Sequence, residues 1–74
     1  MAKGWVHTVH QDGSWYNEIE GEGRLATAHR SKRDAVETGR MLARFRVTEH
    51  LIHNLEGTIS ERNSYGSDPY PPPG

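Results

Sequence analysis

The segment GWVHTVHQDGSWYNEIE, residues 4–20, decides the fold, because it contains two strand patterns joined by a turn signal. Side chains in its first half alternate as on a strand, and we assign the face that carries Trp5 to the core. Asp12-Gly13 suits a tight hairpin connection. The second half predicts another strand, with Trp15 and Ile19 on one face. The segment therefore predicts a β-hairpin.

A helix is predicted from Lys32 to Arg46. Ser31 has the character of an N-cap, with Asp34 three residues later in a capping-box arrangement. Gly39 costs about 1 kcal/mol relative to alanine in mid-helix, which is explained if the helix approaches a sheet too closely for a Cβ. Small residues at helical spacing form the inward face, widened at its sides by Val36 and Phe45. The predicted core comprises Trp5, Trp15, Ile19, Ala35, Leu42 and Leu51, packed around Gly39.

A second hairpin is predicted after the helix. Its strands are 47–55 and 58–63, and Glu56-Gly57 forms the turn. Both alternating sets of side chains in 48–55 contain apolar residues. This pattern predicts a strand that is partly buried on both faces, or a sheet edge that a second chain covers in a homodimer.

The order hairpin, helix, hairpin predicts an α+β fold (β-β-α-β-β), with the helix packed on one face of a small antiparallel sheet. The glycines of GEGR, residues 21–24, are expected to break the second strand. We expect a single small α+β domain over residues 1–70 and a flexible proline-rich tail over 71–74. Only 32% of the 74 residues are hydrophobic and none is cysteine. Stability must therefore come from a few large side chains or from a partner subunit.

The charge of the chain is unevenly distributed. Residues 24–46 hold seven basic and two acidic residues, a net of +5, whereas the remainder has a net of −6. A local basic surface can bind an acidic protein or the phosphates of a nucleic acid. The candidate interaction surface comprises Arg30, Lys32, Arg33, Arg40 and Arg44.

The chain closes with ERNSYGSDPYPPPG, residues 61–74. One interpretation is that Tyr65 folds back and covers a thin core. The other is that the segment is a ligand for an aromatic-lined groove on another protein. We expect 61–68 to be ordered and 71–74 not to be. The candidate motif residues are Arg62, Asn63, Ser64, Tyr65, Gly66, Asp68 and Pro69.

Signals for catalysis or cofactor binding are weak. GEGR lacks the lysine and the strand-to-helix frame of a phosphate-binding loop. A metal site would need histidines converging from different elements, such as His7 with His53, and half-buried or solvated histidines are the better interpretation. We expect no enzyme activity and no cofactor, metal or catalytic residues. No apolar run approaches the roughly 20 residues of a membrane span, so we expect no membrane association. The absence of cysteine fits a cytoplasmic location, which we also expect.

Two stretches carry a resemblance to a known family. They are DGSWYNEIEGEGRLATAHRSKRDAVETGRMLAR, residues 12–44, and EGTISERNSYGSDPYPPPG, residues 56–74. In these stretches and in their spacing, the chain resembles the small bacterial and phage proteins of domain-of-unknown-function family 2188. The resemblance supports the fold and brings no established activity.

The function expected from the sequence is therefore that of a small non-enzymatic protein-interaction module, an accessory or regulatory protein of a bacterium or phage. Its protein partner is unknown. The alternative is a small nucleic-acid-binding protein that uses the basic segment 24–46.

Overall fold

A computed structural model describes residues 4–66 of the chain. The order of elements is β1 (Val6–Gln11), β2 (Ser14–Ile19), β3 (Gly23–Arg24), α1 (Lys32–Arg46), β4 (Glu49–His53) and β5 (Ile59–Ser64). The strands form one sheet in the order β3-β2-β1-β4-β5, and α1 packs against β1, β2 and β4. This arrangement confirms the α+β class and the order hairpin, helix, hairpin.

The sheet is mixed, because its central pair is parallel. β1 runs parallel to β4, with Val6 opposite His50, while the other neighbouring strands are antiparallel. The expectation of an entirely antiparallel sheet is wrong at this one pair. After β3 the chain runs back along β2, where His29 and Trp15 exchange backbone hydrogen bonds of 2.7 and 2.8 Å. The helix then returns to the end of the sheet where β1 begins, so β4 must start there and follow the direction of β1.

The predicted β1–β2 hairpin is confirmed. Asp12 and Gly13 both have positive φ angles, 51° and 83°, as the two central residues of a type I′ turn require. The second strand ends at Ile19, before the glycines of residues 21–24, as expected. The sheet nevertheless continues, because Gly21, at φ 88°, lies in the turn of residues 20–22 that lets Gly23–Arg24 pair with the end of β2.

The helix has the predicted bounds. The Ser31 hydroxyl accepts a hydrogen bond of 3.1 Å from the backbone N–H of Asp34, which confirms the N-cap. Ala35, Gly39 and Ala43 are buried, and they lie one turn apart on the same face. Phe45 does not widen this face as expected, because its side chain projects into solvent.

The core differs from the predicted one on β1. Val6 and Thr8 are fully buried, whereas Trp5 lies on the opposite side of the sheet, with the Arg62 guanidinium 4.9 Å from the centre of its ring. Leu42 is only half-buried, against Val6, Ile19 and Ala43. The other predicted core residues, Trp15, Ile19, Ala35 and Leu51, are buried.

Of the two alternatives for the strand in 48–55, burial on both faces is confirmed, and the sheet edge is wrong because this strand is an inner strand. β4 lies between β1 and β5, so the segment 48–55 cannot offer its backbone to a second chain. His50, Leu51 and Ile52 are all buried. Burial on both faces explains why apolar residues occupy both alternating sets, and the outer strand on this side is β5.

The predicted close approach at Gly39 is confirmed. A Cβ built on Gly39 would lie 2.5 Å from Asn17 Oδ1, 2.6 Å from His50 Nε2 and 2.7 Å from Thr8 Oγ1. These distances are shorter than any normal contact of a Cβ, and all three atoms are buried beneath the helix.

We predict that Gly39→Ala destabilises the protein by roughly 1–3 kcal/mol because the methyl group overpacks the contact. Helix propensity alone would instead raise the free energy of unfolding by about 1 kcal/mol. Urea unfolding measures the difference, with Arg33→Ala as the exposed control on the same helix. A variant as stable as the wild type would contradict the close approach.

Candidate interaction surfaces

A buried polar cluster lies between α1 and the sheet. Thr8 Oγ1 donates to Asn17 Oδ1 at 2.6 Å and lies 2.7 Å from His50 Nε2. Since the Thr8 hydroxyl has one proton, His50 Nε2–H must be the donor to it. Asn17 Nδ2 donates to the backbone carbonyl of Ala35 at 3.1 Å and so ties the sheet to the helix. The sequence analysis did not predict this cluster.

One atom of this cluster has no partner among residues 4–66, namely His50 Nδ1. Burial, with a smaller contribution from the positive charge of Arg40, lowers the pKa of His50 to about 4. The side chain is fully buried, so His50 is neutral in the folded protein near pH 7. It therefore acts as a structural hydrogen-bond donor.

We predict that acid destabilises the protein through His50. The pKa of this histidine is about 6.5 in the unfolded chain and about 4 in the folded protein. Between these values the unfolded state binds a proton that the folded state does not, so the free energy of unfolding falls as pH falls from about 6.5 to about 4. The His50 contribution to this loss is about 3 kcal/mol.

Urea unfolding at several pH values between 7 and 4 measures this loss. The slope with pH should be smaller in His50→Gln than in the wild type, whereas His10→Gln should retain it. Identical slopes in the wild type and His50→Gln would show that another group causes the acid sensitivity.

On the side of the sheet away from α1, charged side chains largely neutralise one another. Arg62 Nε lies 2.7 Å from Glu49 Oε1, and Arg24 Nη2 lies 3.2 Å from Glu18 Oε2. The Arg24 guanidinium also covers the Tyr16 ring at 4.3 Å. The arginines therefore shield the aromatic rings on this face and leave little free charge there.

His7 and His53 meet on the same side, although the sequence analysis did not favour their convergence. His7 Nδ1 lies 2.9 Å from His53 Nε2, and His7 Nε2 lies 2.5 Å from Glu20 Oε2. Both nitrogens of His7 thus have separate partners on opposite sides of the ring. Within residues 4–66, no group of three or more His, Cys, Asp or Glu side chains is arranged to hold a metal ion.

The described part of the closing motif packs onto the fold. Arg62 and Ser64 both bind the Glu49 carboxylate, Ser64 Oγ donating at 2.8 Å, and these hydrogen bonds lower the pKa of Glu49. Tyr65 packs against the core cluster. A Cβ on Gly66 would lie 2.9 Å from the Val47 carbonyl oxygen, so the chain passes close to the end of α1. Asn63 pairs with His50 on β4.

The remaining motif residues, Asp68 and Pro69, lie outside the described residues, as does the predicted tail 71–74. The contacts of residues 62–66 are those expected if this part of the motif closes the fold.

We predict that Tyr65→Ala lowers the free energy of unfolding by roughly 2 kcal/mol, less than for a fully buried aromatic residue because Tyr65 is half-buried. Thermal or urea unfolding measures the change. Leu55→Ala is the control, since Leu55 is 66% exposed. Equal stability of both variants would favour the recognition interpretation of the motif.

The predicted basic surface is only partly assembled. Arg33 and Arg44 are exposed on α1, and Arg30 is exposed just before it. Arg40 pairs with Glu37 at 3.3 Å. Lys32 does not join this surface, because its Nζ lies 5.6 Å from the centre of the Trp15 ring and 3.4 Å from Ser60 Oγ. We call Arg30, Arg33, Arg40 and Arg44 the basic flank.

The arginines divide into two groups by their contacts. Those with an ion pair are Arg24, Arg40, Arg46 and Arg62. Within residues 4–66, no ion pair involves Arg30, Arg33 or Arg44. The unpaired arginines therefore all belong to the basic flank.

A second exposed surface on α1 was missed by the sequence analysis. Thr38, Met41, Leu42 and Phe45 line a shallow apolar groove, which we call the apolar strip. Met41 is 67% exposed and Phe45 is 87% exposed. The spacing of these residues was visible in the sequence, but Phe45 was assigned to the side of the core.

These features define a small one-helix α+β protein whose distinctive surfaces lie on its helix. The chain belongs to DUF2188, a family of uncharacterised proteins conserved in bacteria, whose family model matches residues 6–65. This match confirms the resemblance, although it does not show the Ser-Tyr-Gly-x-Asp-Pro ending to be a family feature. No curated protein and no solved structure matches the chain. In the described part of the chain, no helix has the length and apolar character to cross a membrane.

Proposed function

We propose that this protein is a small non-enzymatic interaction module that binds an acidic segment of another protein through the basic flank. The observation that carries the proposal is the concentration of unpaired arginines there. Exposed arginine offers five N–H donors and matches carboxylates in bidentate geometry. Within residues 4–66, three such groups have no acidic partner and are available to another protein.

The geometry of the flank suits an elongated partner. Arg33 and Arg44 are eleven residues apart, which is about 16 Å along a helix. Arg30 extends the row beyond the N-cap. A single exposed ion pair contributes only about 0–1 kcal/mol, so binding requires several carboxylates at once. An acidic helix or extended segment offers carboxylates at this spacing.

Nucleic acid is the second candidate, because phosphates are bound by the same unpaired arginines. One observation favours a protein. Trp15 is buried and the Tyr16 ring is covered by Arg24, so neither is free to stack on bases. A cytoplasmic setting belongs to this proposal and is compatible with a chain without cysteine.

We predict that a fluorescent 20-residue polyglutamate peptide binds the protein at low salt. Replacing the unpaired arginines in Arg30→Ser/Arg33→Ser should weaken binding by about three- to tenfold. The matched control is Arg24→Ser/Arg62→Ser, which removes the same charge from arginines that already have partners. Fluorescence anisotropy at 50 and 200 mM salt measures the affinities, and a 20-base-pair DNA duplex serves as the competing probe.

The control should change the peptide affinity by less than twofold. Equal losses in the two double variants would indicate binding by net charge alone and would contradict the proposed surface. Tighter binding of the duplex, with a steep salt dependence that Arg30→Ser/Arg33→Ser reduces, would favour the nucleic-acid alternative. No binding of either probe at 50 mM salt would remove both functions.

A further inference from the structure

The apolar strip is poorly accounted for by the folded chain alone. Within residues 4–66, the exposed large apolar side chains are Met41, Phe45, Val47, Leu55 and Ile59. The buried ones are no more numerous: Val6, Trp15, Ile19, Leu51 and Ile52. Phe45 is the single phenylalanine of the sequence. Exposure of such residues side by side on one helix is typical of a surface that is covered by a partner.

The spacing of the strip is that of a helix–helix seam. Thr38, Met41, Leu42 and Phe45 are related by steps of three, four and seven residues, so they lie on one side of α1. A second helix that packs there can place its own side chains between them. The seam spans about two turns, which fits a pairing of moderate affinity.

The charged residues beside the strip indicate that the second helix is α1 of another copy of this chain. Glu37 and Arg44 are both exposed and are seven residues apart, so they occupy equivalent positions on the same side of the seam. If two copies of α1 pair antiparallel, centred between Met41 and Leu42, Thr38 lies level with Phe45 of the second copy. Glu37 then lies about 3 Å along the axis from Arg44 of the second copy. In a parallel pair related by a two-fold axis along the helices, Glu37 of one copy and Arg44 of the other would lie on opposite sides of the seam and could not pair.

We propose that two copies of this chain form a dimer through the apolar strip, with their α1 helices antiparallel and with two reciprocal Glu37–Arg44 contacts. The dimer expected from the sequence used the strand 48–55, which is an inner strand. The surface proposed here lies on the helix and stays clear of the sheet. Dimerisation through this surface would bury additional apolar area, which a chain with a small core needs for stability.

The dimer is independent of the proposed binding of an acidic segment. Arg44 borders both surfaces, whereas Arg30 and Arg33 lie outside the seam and Phe45 lies outside the basic flank. Arg30→Ser/Arg33→Ser therefore leaves the seam in place and Phe45→Ser leaves the basic flank in place, whereas the charge variants at Glu37 and Arg44 change both surfaces and test the dimer alone.

Sedimentation equilibrium of the full chain between about 1 and 200 µM tests the dimer. A seam of this size should give a dissociation constant on the order of 10 µM. Phe45→Ser should weaken dimerisation by at least about tenfold. Leu55→Ser is the matched control, because Leu55 is also exposed and lies in the β4–β5 connection, and it should leave the dissociation constant unchanged.

A charge exchange tests the antiparallel arrangement. Glu37→Arg and Arg44→Glu should each weaken the homodimer by about three- to tenfold. An equimolar mixture of the two variants should form heterodimers at least as well as the wild type forms homodimers. In the heterodimer, positions 37 and 44 are both positive in one chain and both negative in the other, so each contact joins opposite charges. The double variant Glu37→Arg/Arg44→Glu should regain the wild-type dissociation constant.

Three results would overturn the proposal. A full-length chain that is monomeric at 200 µM would do so. This holds even if deletion of residues 67–74 produced a dimer, because those residues would then be what covers the strip in the full chain. A dimer that is insensitive to Phe45→Ser would place the interface elsewhere, such as the outer edge of β5. Equal weakening in the charge variants without recovery on mixing would exclude the antiparallel pair.

Discussion

The contact of α1 with the sheet at Gly39 is the constraint on which the rest of the structure depends. Three polar atoms from three strands lie where a side chain at this position would have to be. The helix can approach this closely only because glycine has no Cβ. The amide of Asn17 then reaches the Ala35 carbonyl and sets the rotation of the helix about its axis. That rotation keeps Ala35 and Ala43 inward and leaves Met41 and Phe45 in solvent.

Local signals made much of the fold predictable. Asp12-Gly13, the Ser31 cap and the role of Gly39 each follow from the conformational needs of a few neighbouring residues, and the structure agrees with them. The inward face of β1 could not be predicted from such local signals. Trp5 is more apolar than Thr8, so hydrophobicity alone selects the wrong face. The parallel pairing of β1 with β4 depends on the path of residues 25–31, for which the sequence has no strong pattern.

The candidate surfaces were predictable to the extent that helical spacing places them. Arg33, Arg40 and Arg44 lie on one flank as their spacing requires, while Lys32 in the first turn reaches the Trp15 ring instead. The pairing of Arg40 with Glu37 depends on side-chain rotamers, which the sequence does not determine. The exposure of Phe45 was missed because a large apolar residue near a predicted core face is usually buried. Only the rotation of α1 shows that it is not.

The central parallel pair has a consequence for how the chain folds. Both hairpins and the helix join residues that are close in sequence, so they can begin to form early. The contact between Thr8 and His50, in contrast, spans 42 residues and crosses the whole helix. Its formation requires closure of a long loop before the sheet becomes continuous, which raises the contact order of an otherwise local topology. We therefore expect the docking of β4 on β1, under the helix, to limit the folding rate, with the buried histidine among the last side chains to leave water.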